Sequence, residues 1–151
     1  VCSAVKLSAM TTKKKTTGEL TLLHKNDKNY PTVPSGKILE VFPNKFPSRD
    51  YLITFDCPEF TSVCPVTGQP DFGKIMIEYS PADFCIESKS LKLYLGAYRN
   101  EGAFAEQIVN QVLDDCVDAC KPHSMIVTGN FTARGGISIK VEAAFNDEEE
   151  F

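Results

Sequence analysis

Residues 88–122 read S-K-S-L-K-L-Y-L-G-A-Y-R-N-E-G-A-F-A-E-Q-I-V-N-Q-V-L-D-D-C-V-D-A-C-K-P, and the period of their apolar positions decides the architecture. Leu91, Tyr94, Leu95 and Tyr98 recur at helical spacing, with Ser88 or Ser90 able to cap the start. Asn100 to Ala103 is a break containing Gly102. A longer helix is predicted from about Phe104 to Cys120, with Ile108, Val109, Val112, Leu113, Cys116 and Cys120 on its apolar face and Asn110, Gln111, Asp114, Asp115 and Asp118 opposite. Lys121-Pro122 ends it.

Outward from these helices the period changes from helix to strand. Asp50 to Asp56 sets Tyr51, Ile53 and Phe55 against Leu52 and Thr54, and Lys74 to Tyr79 carries Ile75, Ile77 and Tyr79 in the same alternation. Beyond the helices, Ser124 to Phe131 and Gly136 to Phe145 read as two more strands joined by a tight A-R-G-G turn, with Ile137, Ile139 and Val141 on one face. The order strand, strand, helix, helix, strand, strand predicts an α+β unit: a four-stranded antiparallel sheet with two helices on one face. Such a sheet has two free edges, which assembly into a ring would cover. A single folded domain is expected over residues 21–145. Residues 1–20 are Thr/Lys-rich and predicted to be a mobile tail, and residues 146–151, N-D-E-E-E-F, a disordered acidic one. Met10 followed by T-T-K-K-K reads as a start, which makes Val1 to Ala9 an extension.

At 151 residues the chain can bury a core without staples. A hydrophobic content of 42% with 24% charged residues is that of a soluble globular protein. A net charge of -4 argues against a nucleic-acid surface, and the Lys13 to Lys15 run is read as solvated. No stretch approaches the roughly 20 apolar residues of a membrane span, and no signal-peptide core is visible. The six cysteines (Cys2, Cys57, Cys64, Cys85, Cys116, Cys120) are therefore read as reduced thiols of a cytoplasmic protein. No metal site is expected, since there is no C-x-x-C pair and His24 and His123 are far apart.

One segment carries candidate chemistry. Pro58 to Asp71, P-E-F-T-S-V-C-P-V-T-G-Q-P-D, places Cys64 in what reads as a loop stiffened by Pro58, Pro65 and Pro70, with Asp71 close behind. A thiol nucleophile beside a proton donor is one reading. The other makes Cys64 a small buried hydrophobe and Asp71 a cap for the turn before Lys74.

Three ordered segments, F-P-N-K-F-P-S-R-D-Y with P-E-F-T-S-V-C-P, then E-S-K-S-L-K-L-Y from Glu87, then F-T-A-R-G-G-I-S-I from Phe131, resemble the NADPH-dependent nitrile reductases that convert 7-cyano-7-deazaguanine to 7-aminomethyl-7-deazaguanine in queuosine biosynthesis. The resemblance runs from about Phe42 to about Ile139. It implies the tunnelling fold in its short single-domain form, a homo-oligomer of rings with sites between subunits, and a free 7-deazaguanine as substrate rather than a nucleic acid or membrane. Cys64 matches the family's nucleophile, which forms a covalent thioimide with the nitrile carbon, and Asp71 its proton donor. Glu106 matches the base-anchoring glutamate, with Ile86, Glu87, Ser88 and Ala105 also at the substrate. Ser88, Lys89 and Lys92 match the NADPH signature, and Arg134 with Gly135 a second cofactor-contacting turn. Lys89 and Lys92 lie one turn apart near a helix start, where free N–H groups and lysine charge both favour phosphate; a solvated helix face is the plainer reading. No G-x-G-x-x-G fingerprint occurs, so no Rossmann domain is expected.

The chain departs from the family pattern at one point. The family has histidine before the glutamate, whereas Phe104-Ala105-Glu106 has alanine there. That leaves a variant using water or Asp71 for protons, or a change that traps an intermediate. Two other activities share the fold: an amidine-forming transferase, against which Lys89, Lys92 and Arg134 weigh, and a nitrile-binding protein that never turns over.

Overall fold

The computed structural model describes residues 20–22 and 29–147. Residues 1–19 of the expected mobile tail and most of the acidic tail over 146–151 lie outside them; Leu20, at the end of the first, is described and buried. The elements in chain order are β1 (Val41–Pro43), β2 (Ile53–Val63), β3 (Pro70–Ser80), β4 (Phe84–Ile86), α1 (Ser88–Gly96), α2 (Ala105–Cys120), β5 (Ser124–Arg134) and β6 (Ile137–Asn146). Strands β2, β3, β5 and β6 form a four-stranded antiparallel sheet in the order β2-β3-β5-β6. The predicted ββααββ succession is thus carried by the long elements. Strands β1 and β4 form a separate antiparallel pair that the sequence reading did not include. Each is three residues long, too short for alternation to show.

Strand β2 corrects the reading of the cysteine segment. Pro58 does not begin a loop. It lies inside β2, at a bulge where Cys57 faces Ile75 and Phe60 faces Gly73, so one extra residue is inserted. Proline is tolerated there because β2 is an edge strand and needs no donor on its open side. The bulge switches parity: Ile53, Phe55 and Cys57 turn inward before it, and Phe60 and Ser62 after it. The true loop is only residues 64–69, between β2 and β3, and Asp71 stands on a strand.

Helix α1 begins differently from expectation. Its cap is neither Ser88 nor Ser90 but Glu87, whose carboxylate accepts from the N–H of Lys89 and of Ser90. Beyond Gly96 the helix tightens into a 3-10 turn, Ala97–Asn100, before the break at Gly102. Buried Tyr94 donates to Asp115 Oδ2 at 2.6 Å and lies 3.1 Å from the Tyr98 hydroxyl, tying α1 to α2.

Helix α2 buries the predicted face, Ile108, Val109, Val112, Leu113, Cys116 and Cys120, against β5 and β6. Lys121 leaves it in the left-handed conformation, φ 47°, and Pro122 prevents continuation. One cluster joins both helices to Ile75, Ile77, Tyr79, Met125 and Val127 of the sheet. Val141, Ala143 and Phe145 of β6 pack against this cluster, whereas Ile137 and Ile139 extend past it and are exposed.

Helix and sheet approach closely at Gly129. A Cβ there would lie 2.6 Å from Val109 Cγ2 and 2.8 Å from Phe131 Cε2. Gly129→Ala should therefore destabilise the fold by about 1–3 kcal/mol, the ordinary cost of overpacking. The expected result is a lower urea midpoint at unchanged slope. An unshifted midpoint would mean α2 can lift off β5 without loss.

Candidate active site

Cys64 is the first residue after β2, and the loop it opens is closed by two backbone bonds. Its N–H donates to the Gln69 carbonyl at 2.8 Å, and the Gly68 N–H donates to the Cys64 carbonyl at 2.8 Å. Gly68 takes φ 69°, a conformation that glycine adopts without a Cβ penalty. The turn folds donors back onto the sulfur. The Thr67 hydroxyl first, then the Thr67 and Val66 N–H groups and the Arg134 side chain, favour the thiolate and lower the thiol pKa to about 6. This is a small anion nest built from loop backbone and one hydroxyl.

Arg134, the last residue of β5, forms an ion pair with Asp71 and also donates to Cys64. The resemblance assigns Arg134 to a cofactor-contacting turn; within this chain it pairs with Asp71, donates to the Gln69 carbonyl at 3.5 Å and acts on the Cys64 thiol. It reaches them because Gly135 and Gly136, at φ 57° and 79°, form the two-residue turn that brings β6 back beside β5.

The opposite wall comes from the chain entering α2. The Val63 N–H donates to the Glu101 carbonyl at 3.1 Å, the Ala103 N–H donates to the Val63 carbonyl at 3.3 Å, and Val63 pairs with Gly102 as a parallel bridge. A Cβ on Gly102 would sit 3.3 Å from Pro65 Cα, so the small residue lets the two segments close. The bridge sets the first turn of α2 beside the thiol loop. Cys64, Asp71, Ala105, Glu106 and Arg134 consequently line one cleft of about 240 Å³. Glu106 is exposed and Ala105 half-buried, and Phe104, 57% exposed, stands at the entrance.

The remaining candidates lie elsewhere on the chain. Ile86, Glu87 and Ser88 line an apolar hollow of about 410 Å³ together with Phe42 and Phe55. Ile86 is fixed by its N–H donating to Tyr79 Oη at 2.9 Å, and Glu87 by its N–H donating to the Glu40 carbonyl at 2.8 Å. The expectation of free N–H groups at the start of α1 is not met at Lys89 and Ser90, because the Glu87 carboxylate takes both. Lys92 is exposed on α1 and borders a third cavity of about 610 Å³, which also contains Arg99 and Glu59.

Sequence reasoning missed three residues of these sites. Thr67 was hidden because only the fold of the loop turns its hydroxyl to sulfur. Ser62 was read as part of a loop. Arg99 has no signal beyond being a cation about two helical turns past Lys92.

Comparison with known proteins bears on all of this. The family model described as QueF-like protein matches residues 70–150. The NADPH-dependent 7-cyano-7-deazaguanine reductase of Syntrophus aciditrophicus is 54% identical over 126 residues, 83% of this chain and 86% of that one. The reductases of the same name from Streptococcus mutans and Staphylococcus haemolyticus are 52% and 50% identical over 121 residues, covering 80% of this chain and 75% and 73% of theirs. Among solved structures, an archaeosine synthase QueF-Like in the apo form superposes with a TM-score of 0.58 at 22% identity, covering 62% of this chain and 91% of that one, a likeness of fold. With the matched model spanning more than half of the chain and relatives at about half identity over most of it, the protein belongs to the QueF-like family.

Proposed function

We propose that the protein is an NADPH-dependent oxidoreductase that reduces the nitrile of 7-cyano-7-deazaguanine to the aminomethyl group. The observation that carries this reading is the cleft in which an acidified thiol, Asp71 and Glu106 meet. The names of the relatives at about half identity agree with it. The chemistry starts from a thiol whose surroundings favour the thiolate. Cys64 sulfur attacks the nitrile carbon, a C–S bond forms, and one C–N π pair moves to nitrogen, which takes the proton the thiol gave up. Asp71 carries that proton, and its pairing with Arg134 fixes where the carboxylate points. Glu106, at the start of α2, accepts from the ring N–H and exocyclic amine of the base.

NADPH, when bound, would supply the two hydrides that a primary amine requires: the thioimide carbon takes the first, the C–S bond then breaks to return Cys64 as thiolate, and the resulting imine carbon takes the second. The residues present fit such a cofactor by their chemistry: Lys92 and Arg99 set two cations at one cavity wide enough for a ligand, with Lys89 a turn earlier. Ser88, and Gly135 in its turn, complete the matched set.

The separation of the thiol cleft from the hollow at Ile86, Glu87 and Ser88 favours a homo-oligomer in which one subunit supplies the nucleophile and its neighbour the second wall for the ring. Exposed Ile137 and Ile139 beside the cleft support the same arrangement. A soluble, cytoplasmic enzyme acting on a small molecule is consistent with this, and no helix among the described residues is long and apolar enough to cross a membrane.

Three tests follow from this chemistry. Incubation with 7-cyano-7-deazaguanine without NADPH should add the ligand mass to the protein. Cys64→Ala should abolish the adduct, while Lys92→Ala should keep it and raise KM for NADPH about tenfold, the loss of one charge-assisted bond. A full-yield adduct on Cys64→Ala would move the nucleophile elsewhere.

Thiol reactivity should follow the thiolate. The rate of iodoacetamide modification at Cys64 should rise with pH through a midpoint of about 6 and then level off. Thr67→Val should move that midpoint upward, toward the roughly 8.5 of a free thiol, and Thr67→Ser should restore it. An unmoved midpoint in Thr67→Val would assign the acidity to the loop N–H groups and Arg134 instead.

Subunit complementation tests the shared site. Cys64→Ala and Ser88→Trp, each inactive alone, should regain turnover after being mixed and reassembled. No recovery in a verified mixed oligomer would confine the site to one chain.

A further inference from the structure

Ser62 is a buried polar residue that the proposed chemistry leaves unused. It is 1% exposed, and its hydroxyl oxygen has no hydrogen-bond partner among the described residues. A buried hydroxyl without a partner is costly, so its retention asks for a reason. Its position supplies one. Ser62 lines the same cleft as Cys64, Asp71 and Ala105. It stands directly opposite Asp71 in the β2–β3 register. Directly opposed residues of an antiparallel pair project from the same face of the sheet, with Cβ atoms about 4.5–5.5 Å apart. On the α2 side of the cleft, residue 105 is an alanine, which offers no titratable group.

We propose that the Ser62 hydroxyl is a proton relay between Asp71 and the reacting nitrogen, needed here because residue 105 offers no proton-carrying side chain. The inference rests on the nitrile-reductase reading. As the Cys64–carbon bond forms and one π pair moves to nitrogen, the Ser62 O–H gives its proton to that nitrogen. Ser62 regains a proton from Asp71, which has received the one released by the thiol. No electrons are exchanged with any other group in this step, and the hydroxyl ends as it began. A hydroxyl suits the role because it donates and accepts at once. The bond it lacks in the free protein is the one made to the ligand.

The test is a double-mutant cycle of Ser62→Ala and Ala105→His, read by nitrile-dependent NADPH oxidation and by the rate of adduct formation without NADPH. Ser62→Ala should slow both by about 10- to 100-fold, the lower range of positioned proton transfer. It should leave the thermal midpoint of the ligand-free protein unchanged or raised, since no bond is lost. In the Ala105→His background the same substitution should cost less than about threefold, because the imidazole then moves the proton. Ser62→Thr, which keeps the hydroxyl, should retain most of the rate. Equal losses in both backgrounds, or no loss in either, would overturn the relay. A lowered thermal midpoint with activity lost in step would assign Ser62 to packing. If the unsubstituted chain forms no adduct and oxidises no NADPH, the nitrile-reductase reading fails and the relay with it; if it turns over and Ser62→Ala matches it, only the relay fails.

Discussion

One inserted residue in an edge strand governs the geometry of the site. Without the bulge between Cys57 and Phe60, the inward set of β2 would continue on odd numbers, and Ser62 would face away from α2. With it, Phe60 packs against Tyr98 and Phe131 at centroid distances of 5.6 and 6.2 Å, and Ser62 faces the cleft opposite Asp71. A period of two has no intermediate state, so a one-residue shift moves a whole strand end from one face to the other. Proline at that point removes a donor that the open edge does not need, which is why the bulge and the edge coincide.

The thiol is prepared by local structure and aligned by distant structure. Its acidity comes first from the Thr67 hydroxyl and then from loop N–H groups, all within a few residues of the sulfur. Its partners come from far along the chain. Arg134 arrives on β5, Asp71 on β3, and the first turn of α2 is drawn in by the Val63–Gly102 bridge. A nest of backbone donors can stabilise an anion in any loop, but only a sheet and helix held together by a common core can set the Asp71 and Glu106 carboxylates beside it. That core is anchored where Gly129 lets Val109 approach the sheet, so packing and chemistry share one support.

In the second group of matched residues, one side chain serves the fold and, under the proposed function, the ligand as well. The Glu87 carboxylate closes the start of α1, while the backbone between Ile86 and Ser88 is fixed by Tyr79 and Glu40. A wall held this firmly costs little further ordering when a ring docks on it. Under the proposed function, phosphate recognition then falls to side chains such as Lys92 and Arg99 rather than to the helix start.

Much of the fold is legible in the sequence because periodicity is a local property. The apolar stripe of α2, its stop at Lys121-Pro122, the alternation in β3 and the two-glycine turn after Arg134 all follow from residues near one another in the chain. The identity of Cys64 and Asp71 as candidates, and membership of the family, were readable in the same way from ordered motifs. What the sequence could not yield were features made of pairs. Pro58 read as the start of a loop because a bulge is defined by the partner strand, and the β1–β4 pair joins segments some forty residues apart that are too short to show a period. Glu87 as a cap, Arg134 as the partner of Asp71 and Ser62 as a face-to-face neighbour of Asp71 each depend on register or on a helix entry angle. Register and entry angle are set by which apolar surfaces can be buried together, a property of the assembled core that no single segment contains.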